Sequence, residues 1–416
     1  MAERSQGDLA ELVEVLSSAR RADPYPGYAA LRESRPVWRA TERFFVLSRH
    51  RDCAEVLRDP RFGHAEGDEV EERRRAAGML GGGRDGAPPP MRSFLGLNPP
   101  DHTRLRRLVS RAFTPRRVDE LAPQVRQIIE ELLLGIGDAG SVDLVDEFAS
   151  PLPVRVICEL LGVPRGDRQR LVEWSHALAK GLDPGFLVSD AARVAQARAR
   201  EEFAAYLVGE IAERRHAPGQ DLLSALVTTH DSGDALTEAE LVATSILLLV
   251  AGHETTTSLI ANGMLALLRH PDQLEQLRAR PELAGSAVEE LLRFDSPVQL
   301  TVRMALGDAS VGDVGVPAGS FVLLLLGAAN RDPDVRPDPD RLDIARTPNV
   351  HLAFGQGIHF CLGAPLARLE AKLALERLAN GVGEIRLAGT PLWKDTAVLR
   401  GVRHLEVEMT PAARTW

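Results

Sequence analysis

Residues 354–363 read FGQGIHFCLG, and they run straight into APLARLEAKLALERLA at 364–379, a strong helix-forming stretch. Cys361 thus stands just before a helix N-terminus, where the dipole and the free N–H groups favour a thiolate. Gly355, Gly357 and Gly363 let the backbone bend tightly and lie close to a flat ligand. Phe354 is placed to cover one side of the sulfur. A lone cysteine in a glycine-rich turn is ordinarily a small buried hydrophobe. Phe354, Gly355, Gly357, Cys361 and Gly363 together outweigh that reading. Zinc held by His359 and Cys361 is short of ligands, since no second cluster of Cys or Cys and His supplies them. A serine hydrolase is also disfavoured, because no G-x-S-x-G elbow is present.

The rest of the composition is ordinary for a soluble globular protein. The chain has 416 residues, 44% hydrophobic and 26% charged, with a net charge of −9. That balance disfavours a nucleic-acid partner, since phosphate contacts need clustered cations. Cys53, Cys158 and Cys361 are the only cysteines, too few and too odd for a disulfide framework, so a reducing compartment is expected. Cys53 and Cys158 fall in helical patterns and read as buried hydrophobes. The polar start MAERSQGDLAELVEVL lacks the apolar core of a signal peptide. The apolar run 246–252 meets His253 and Glu254 far short of the ~20 residues that span a bilayer. A cytoplasmic protein without a membrane anchor is the expectation.

Along the chain, residues 37–47 alternate and carry aromatics around Thr41-Glu42-Arg43, which predicts a hairpin. RHRDCAEVLRDP predicts a short helix stopped by Pro60. Three consecutive glycines and three prolines in 78–90 predict a long binding loop. Helical patterns dominate 101–232, interrupted at Pro115, Pro151, Pro164, Pro184 and Pro218. Thr237 and Glu240 form a capping box, and helical composition then continues to His270 before Pro271. Such a helix is ~50 Å long at 1.5 Å per residue and would cross the whole domain. Pro281 opens another helix ending before Pro297, and short strands are expected over 301–326 and beyond 381. The predicted class is mainly α with minor β in a single domain, 1–416. Its β-rich part is expected at about 25–60, with short strands at the C-terminus.

The long helix contains Ala251-Gly252-His253-Glu254-Thr255-Thr256. Glycine inside a helix costs ~1 kcal/mol relative to alanine, and an acid beside a threonine pair is no core filler. A threonine bonded back to the preceding turn and a solvated glutamate would be the bland alternative.

Taken together these stretches resemble the cytochrome P450s, specifically the soluble bacterial type of natural-product biosynthesis, and the resemblance covers nearly the whole chain. It departs at Gln356, where many bacterial members carry histidine. The resemblance implies a triangular helical prism with small β-sheets, holding haem b between the long helix and the Cys361 loop. It implies Cys361 as the axial thiolate, whose electron donation favours O–O cleavage. Glu254 and Thr255 match the acid–alcohol pair that delivers protons to dioxygen, with Ala251 and Gly252 leaving room for it. His102, Arg106, Arg303 and His359 match the partners of the haem propionates. Glu290 and Arg293 match the E-x-x-R pair, with Arg341 as its third member.

By the same resemblance, Leu247, Leu248, Val298, Gln299, Leu300 and Leu399 line a hydrophobic substrate pocket, with Val398 nearby. The 78–96 loop is its lid and 175–188 part of its entrance. A polyketide, macrolide, terpenoid or carrier-bound substrate would suit it. No flavin or nicotinamide domain is visible, so electrons are expected from a ferredoxin and its reductase. A peroxide-driven enzyme, a non-catalytic haem–thiolate protein, and atypical epoxidation, phenol coupling or nitration remain as alternatives at this stage.

Overall fold

The computed structural model describes residues 10–65, 93–137, 140–184, 187–231 and 233–410. Most of the loop expected as a lid, residues 78–92, lies outside them. Helices dominate. The N-terminal part carries α1 (Tyr25–Ser34) and α2 (His50–Arg58). The next run is α3 (Asp101–Ala112), α4 (Pro115–Glu120), α5 (Ala122–Ile136), α6 (Pro151–Leu161) and α7 (Arg168–Lys180). It continues with α8 (Asp190–His216), α9 (Leu222–Thr228), α10 (Glu238–Arg269), α11 (Pro271–Ala279) and α12 (Ala284–Phe294). A single turn, α13 (Leu326–Ala329), and α14 (Ala364–Asn380) complete the set. Pro115, Pro151 and Pro271 do not merely break helices. Each opens the next one, where its missing N–H is no loss.

Five strands form the main sheet: β1 (Val37–Thr41), β2 (Phe44–Leu47), β3 (Phe62–Gly63), and, far along the chain, Leu300–Ala305 and Phe321–Leu325. Phe321–Leu325 runs parallel to β2 and antiparallel to Leu300–Ala305, which also pairs with β3. The hairpin at 37–47 is present as expected. The segment 25–60 is nevertheless more helical than strand-like, because Tyr25, Tyr28, Leu31 and Arg32 recur at helical spacing and bury one face of α1. Among the described residues, no helix is long and apolar enough to cross a membrane.

The central helix α10 begins at the Thr237–Glu240 capping box and stops at His270. It packs against α6, α7, α8, α12 and α14. Burial on nearly all sides explains its lack of a polar face. Away from its two ends, the exceptions are residues 246–248, 251–252 and 255, a stripe at i, i+4 spacing that is left partly or fully open, with Ala251 the most exposed of them.

Helix α12 supplies a fully buried ion pair. Glu290 and Arg293, both 0% exposed, meet through two short bonds of 2.7 and 2.8 Å. Burial pushes the Glu290 carboxyl up, and Arg293 outweighs it, holding the group below its ordinary range. Glu290 also accepts from Arg346 Nε at 3.2 Å, from Asn349 Nδ2 at 3.0 Å and from the Asp343 backbone N–H at 3.0 Å. Arg293 donates to the carbonyls of Asn330, Pro339 and Arg341. The third cation is therefore Arg346. Arg341 contributes a carbonyl oxygen while its own side chain lies exposed. The expectation for Arg341 fails because sequence spacing cannot tell which of two nearby arginines turns inward.

This network binds 330–349 to α12 and so anchors the segment leading to Cys361. Arg293→Ala strands a buried carboxylate and should cost about 3–5 kcal/mol in urea denaturation. Arg341→Ala should stay within ~0.5 kcal/mol of the parent protein.

Candidate functional site

The segment before α14 is shaped by two left-handed glycines, Gly355 at φ 68° and Gly357 at φ 71°. Gly357 is the tighter position, since a Cβ there would lie 2.3 Å from the carbonyl oxygen of Leu57. Its glycine is thus needed both for φ and for contact with the end of α2. The chain then turns through Gly357–His359 and folds back, and the Cys361 N–H donates to the Phe354 carbonyl at 3.0 Å. Gly363 lies beside the sulfur, with the place of a Cβ 4.0 Å from Cys361 Sγ. Arg368 spreads over the Phe354 ring, 4.5 Å from its centroid, and pairs with Glu289 at 2.6 Å. Burial pushes the Cys361 thiol up, opposed by the N–H groups of Gly363 and Ala364 and by Arg106 and Arg368.

Basic groups gather on the same side. The His359 ring lies 4.2 Å from that of His102 and 4.6 Å from that of His64, centroid to centroid. Arg106 donates to the Phe360 carbonyl. Arg303, 6% exposed, donates to Thr301 Oγ1 and the Val302 carbonyl. Both ring nitrogens of His102 and of His359 are buried with no hydrogen-bond partner among the described residues. Burial, then His64, Arg303, His102 and Arg106, holds His359 down to about 2. Burial holds Arg303 down to about 10. So many donors around one space, with orphaned nitrogens, suit an anion that satisfies them. His64 was not foreseen. It lies 38 positions before His102 in sequence, in a stretch with no helical or strand pattern to flag it.

On α10 the arrangement is different. Thr255 Oγ1 donates to the Ala251 carbonyl at 2.6 Å, so its proton is committed and its lone pairs face outward. A Cβ on Gly252 would meet Ile157 of α6 at 3.4 Å, an ordinary contact. Glu254 is 3% exposed and held by Lys394 Nζ at 2.7 Å, with His176 Nε2 3.1 Å from its other oxygen. Burial raises its carboxyl, but Lys394, His253 and His176 prevail and leave it below the ordinary value. His253 is 1% exposed, lies between Ser175 and Ser150, and is held down to about 4 chiefly by burial. Lys394 and His176 stand 140 and 78 positions from Glu254, and only tertiary packing reveals them.

The expected pocket is narrower than the sequence implied. Leu247, Leu248, Val298 and Val398 are partly open. Gln299, Leu300 and Leu399 are 2–4% exposed and line no open space. Gln299 donates to the Ser296 carbonyl and covers Gly327, Leu300 packs with Tyr25 and Tyr28, and Leu399 joins the main core. Beyond α7, Asp183 is buried and accepts from the backbone N–H groups of Ala397 and Val398 at 2.8 to 3.0 Å. It fastens the segment expected at the entrance to the turn carrying Val398.

Comparison with known proteins agrees with this geometry. The Cytochrome P450 family matches residues 85–379. The chain is 43% identical over 397 residues to the Vitamin D(3) 25-hydroxylase of Pseudonocardia autotrophica, covering 94% of each. It is 42% identical over 394 residues to the Mycinamicin IV hydroxylase/epoxidase of Micromonospora griseorubida, covering 91% of this chain and 94% of that one. The crystal structure of ligand-free CYP164A2 of Mycobacterium smegmatis aligns with a TM-score of 0.87 at 44% identity, over 96% of this chain and 99% of that one. The chain belongs to the cytochrome P450 family, as a haem-binding oxidoreductase. Within it, the protein is related to the bacterial natural-product hydroxylases.

The residues present fit the haem that the family implies. A sulfur stands at the start of α14 with glycine on its flank, and the orphaned imidazoles and Arg303 await an anion of the propionate kind. Gly357→Ala should cost more than about 1–2 kcal/mol from φ alone and lower the haem content of purified protein. For Glu254, a folded value below 4.5 means stabilisation present above that pH and lost as pH falls through the lower value. The stability gap between the parent protein and Glu254→Gln should therefore shrink in acid, as read by thermal melts.

Proposed function

We propose that Cys361 ligates the haem iron as a thiolate and that the enzyme hydroxylates a hydrophobic natural product with dioxygen. The observation that carries this reading is the conjunction around Cys361: a helix-start sulfur beside buried basic groups with unsatisfied nitrogens. His102, His359, Arg106 and Arg303 would pair with the propionates, each on a different turn or strand, and so fix the plane of the macrocycle. Haem, when bound, supplies the redox and oxygen chemistry, and the protein supplies ligand, protons and position.

The chain's own work lies in proton handling and orientation. Thr255 donates a hydrogen bond to the Ala251 carbonyl, which leaves its oxygen able to accept one from a water or a protonated ligand beside Ala251. Glu254, ionised by Lys394 and His176, can take a proton from solvent and pass it inward. The half-exposed rim of His176 gives that path its outer end. Leu247, Leu248, Val298 and Val398 offer an apolar wall suited to the rigid body of a steroid-like or macrocyclic substrate. Electrons would come from a ferredoxin and its NAD(P)H-dependent reductase in the cytoplasm. The intact Glu254–Thr255 pair favours this route over one driven by peroxide.

The decisive experiment is the reduced carbon-monoxide spectrum of the purified protein. Thiolate ligation should give its characteristic red-shifted band, and an imidazole-type band or no haem uptake would overturn the assignment of Cys361. Thr255→Ala should keep the substrate-induced spin shift but lower product formed per NAD(P)H by about 10²-fold, read by product and peroxide yields.

A further inference from the structure

Three ligating atoms converge where α7 crosses α10. His176 Nε2 lies 3.1 Å from Glu254 Oε1, His253 Nδ1 lies 3.9 Å from the same oxygen, and all three atoms are within 4.8 Å of one another. Around tetrahedral zinc, ligand atoms at 2.0–2.1 Å from the metal stand about 3.3 Å apart. Small rotations of His176, the exposed member, would close the set.

The chemistry of each group favours a metal. His253 is held neutral by burial, which is the form that ligates. Its Nε2 faces Ser150 Oγ at 3.4 Å, and its Nδ1 pairs with Ser175 Oγ at 3.2 Å while standing 3.9 Å from Glu254. With Nε2–H donated to Ser150, as in ligating histidines fixed through their second nitrogen, the Nδ1 lone pair accepts from Ser175, a hydroxyl that an incoming ion has to displace. Glu254 is 3% exposed, and its Oε1 accepts no well-aligned hydrogen bond, since His176 lies near but off line. That orphaned oxygen is the second, independent sign of a missing ligand. His176, with a side chain 55% exposed, opens the cluster to solvent. Lys394 occupies the other carboxylate oxygen at 2.7 Å. It keeps Glu254 ionised and oriented, while its charge repels a cation and weakens the site.

We infer that His176, His253 and Glu254 form a surface-accessible site for a borderline divalent transition ion of the Zn2+ kind, separate from the haem. Two nitrogens and one carboxylate oxygen disfavour Mg2+ and Ca2+, which take oxygen ligands. An ion seated there withdraws Glu254 from proton delivery and slows turnover without touching the substrate pocket. This inhibitory part rests on the reading of Glu254 given above, while the binding part does not.

The test uses haem-loaded enzyme and Zn2+ alone. Equilibrium dialysis should give one tightly held Zn2+ per chain. His176→Ala should weaken it by at least about tenfold, and His176→Cys, which restores a ligand, should regain it. Lys394→Met should bind more tightly. Zn2+ should lower the rate of product formation and leave the substrate-induced spin shift unchanged. Absence of stoichiometric binding, or equal binding by His176→Ala, overturns the site. Binding that depends on His176 with no loss of rate upholds the site and instead overturns Glu254 as the proton carrier.

Discussion

The contact between Gly357 and the Leu57 carbonyl is the constraint on which the haem-binding half of the molecule depends. It presses the cysteine loop against the end of α2, a segment 300 positions earlier in the chain. Only a residue without a side chain, with φ at 71°, allows that approach. The ion pair of Glu290 and Arg293 then holds the other end of the same stretch through 330–349. Together these two contacts hold the chain just ahead of Cys361 at both ends. A buried ion pair is a poor source of net stability. Its value here is registry, since it ties one helix to three separate carbonyls and a loop.

The opposite side of the molecule works under the reverse condition. There α10 is buried along most of its length, yet residues 247, 248, 251, 252 and 255 stay partly or fully open within the same helix. Charge is handled in the same economical way. Glu254 would be costly in such a place without Lys394, which reaches in from the C-terminal strands.

Much of this was readable in advance, and the reasons are local. The capping box, the proline breaks and the 37–47 hairpin depend on residues a few positions apart, and so does the cysteine motif. The failures share one cause, which is direction. Arg346 and Arg341 are five residues apart in one loop, and nothing in their spacing tells which turns inward. Gln299 and Leu300 adjoin Val298 in sequence, yet both are buried, Gln299 by its bond to the Ser296 carbonyl and its cover over Gly327. His64, His176 and Lys394 are brought to their sites by packing between distant elements, and no motif marks them.

The three hydrogen bonds at Asp183 join two jobs that are usually discussed apart. The carboxylate belongs to the stretch after α7, and the amides it holds belong to the turn bearing Val398. A molecule that pries the first away also loosens the second. One carboxylate is thus a shared rivet: whatever loosens it frees two distant stretches of chain together.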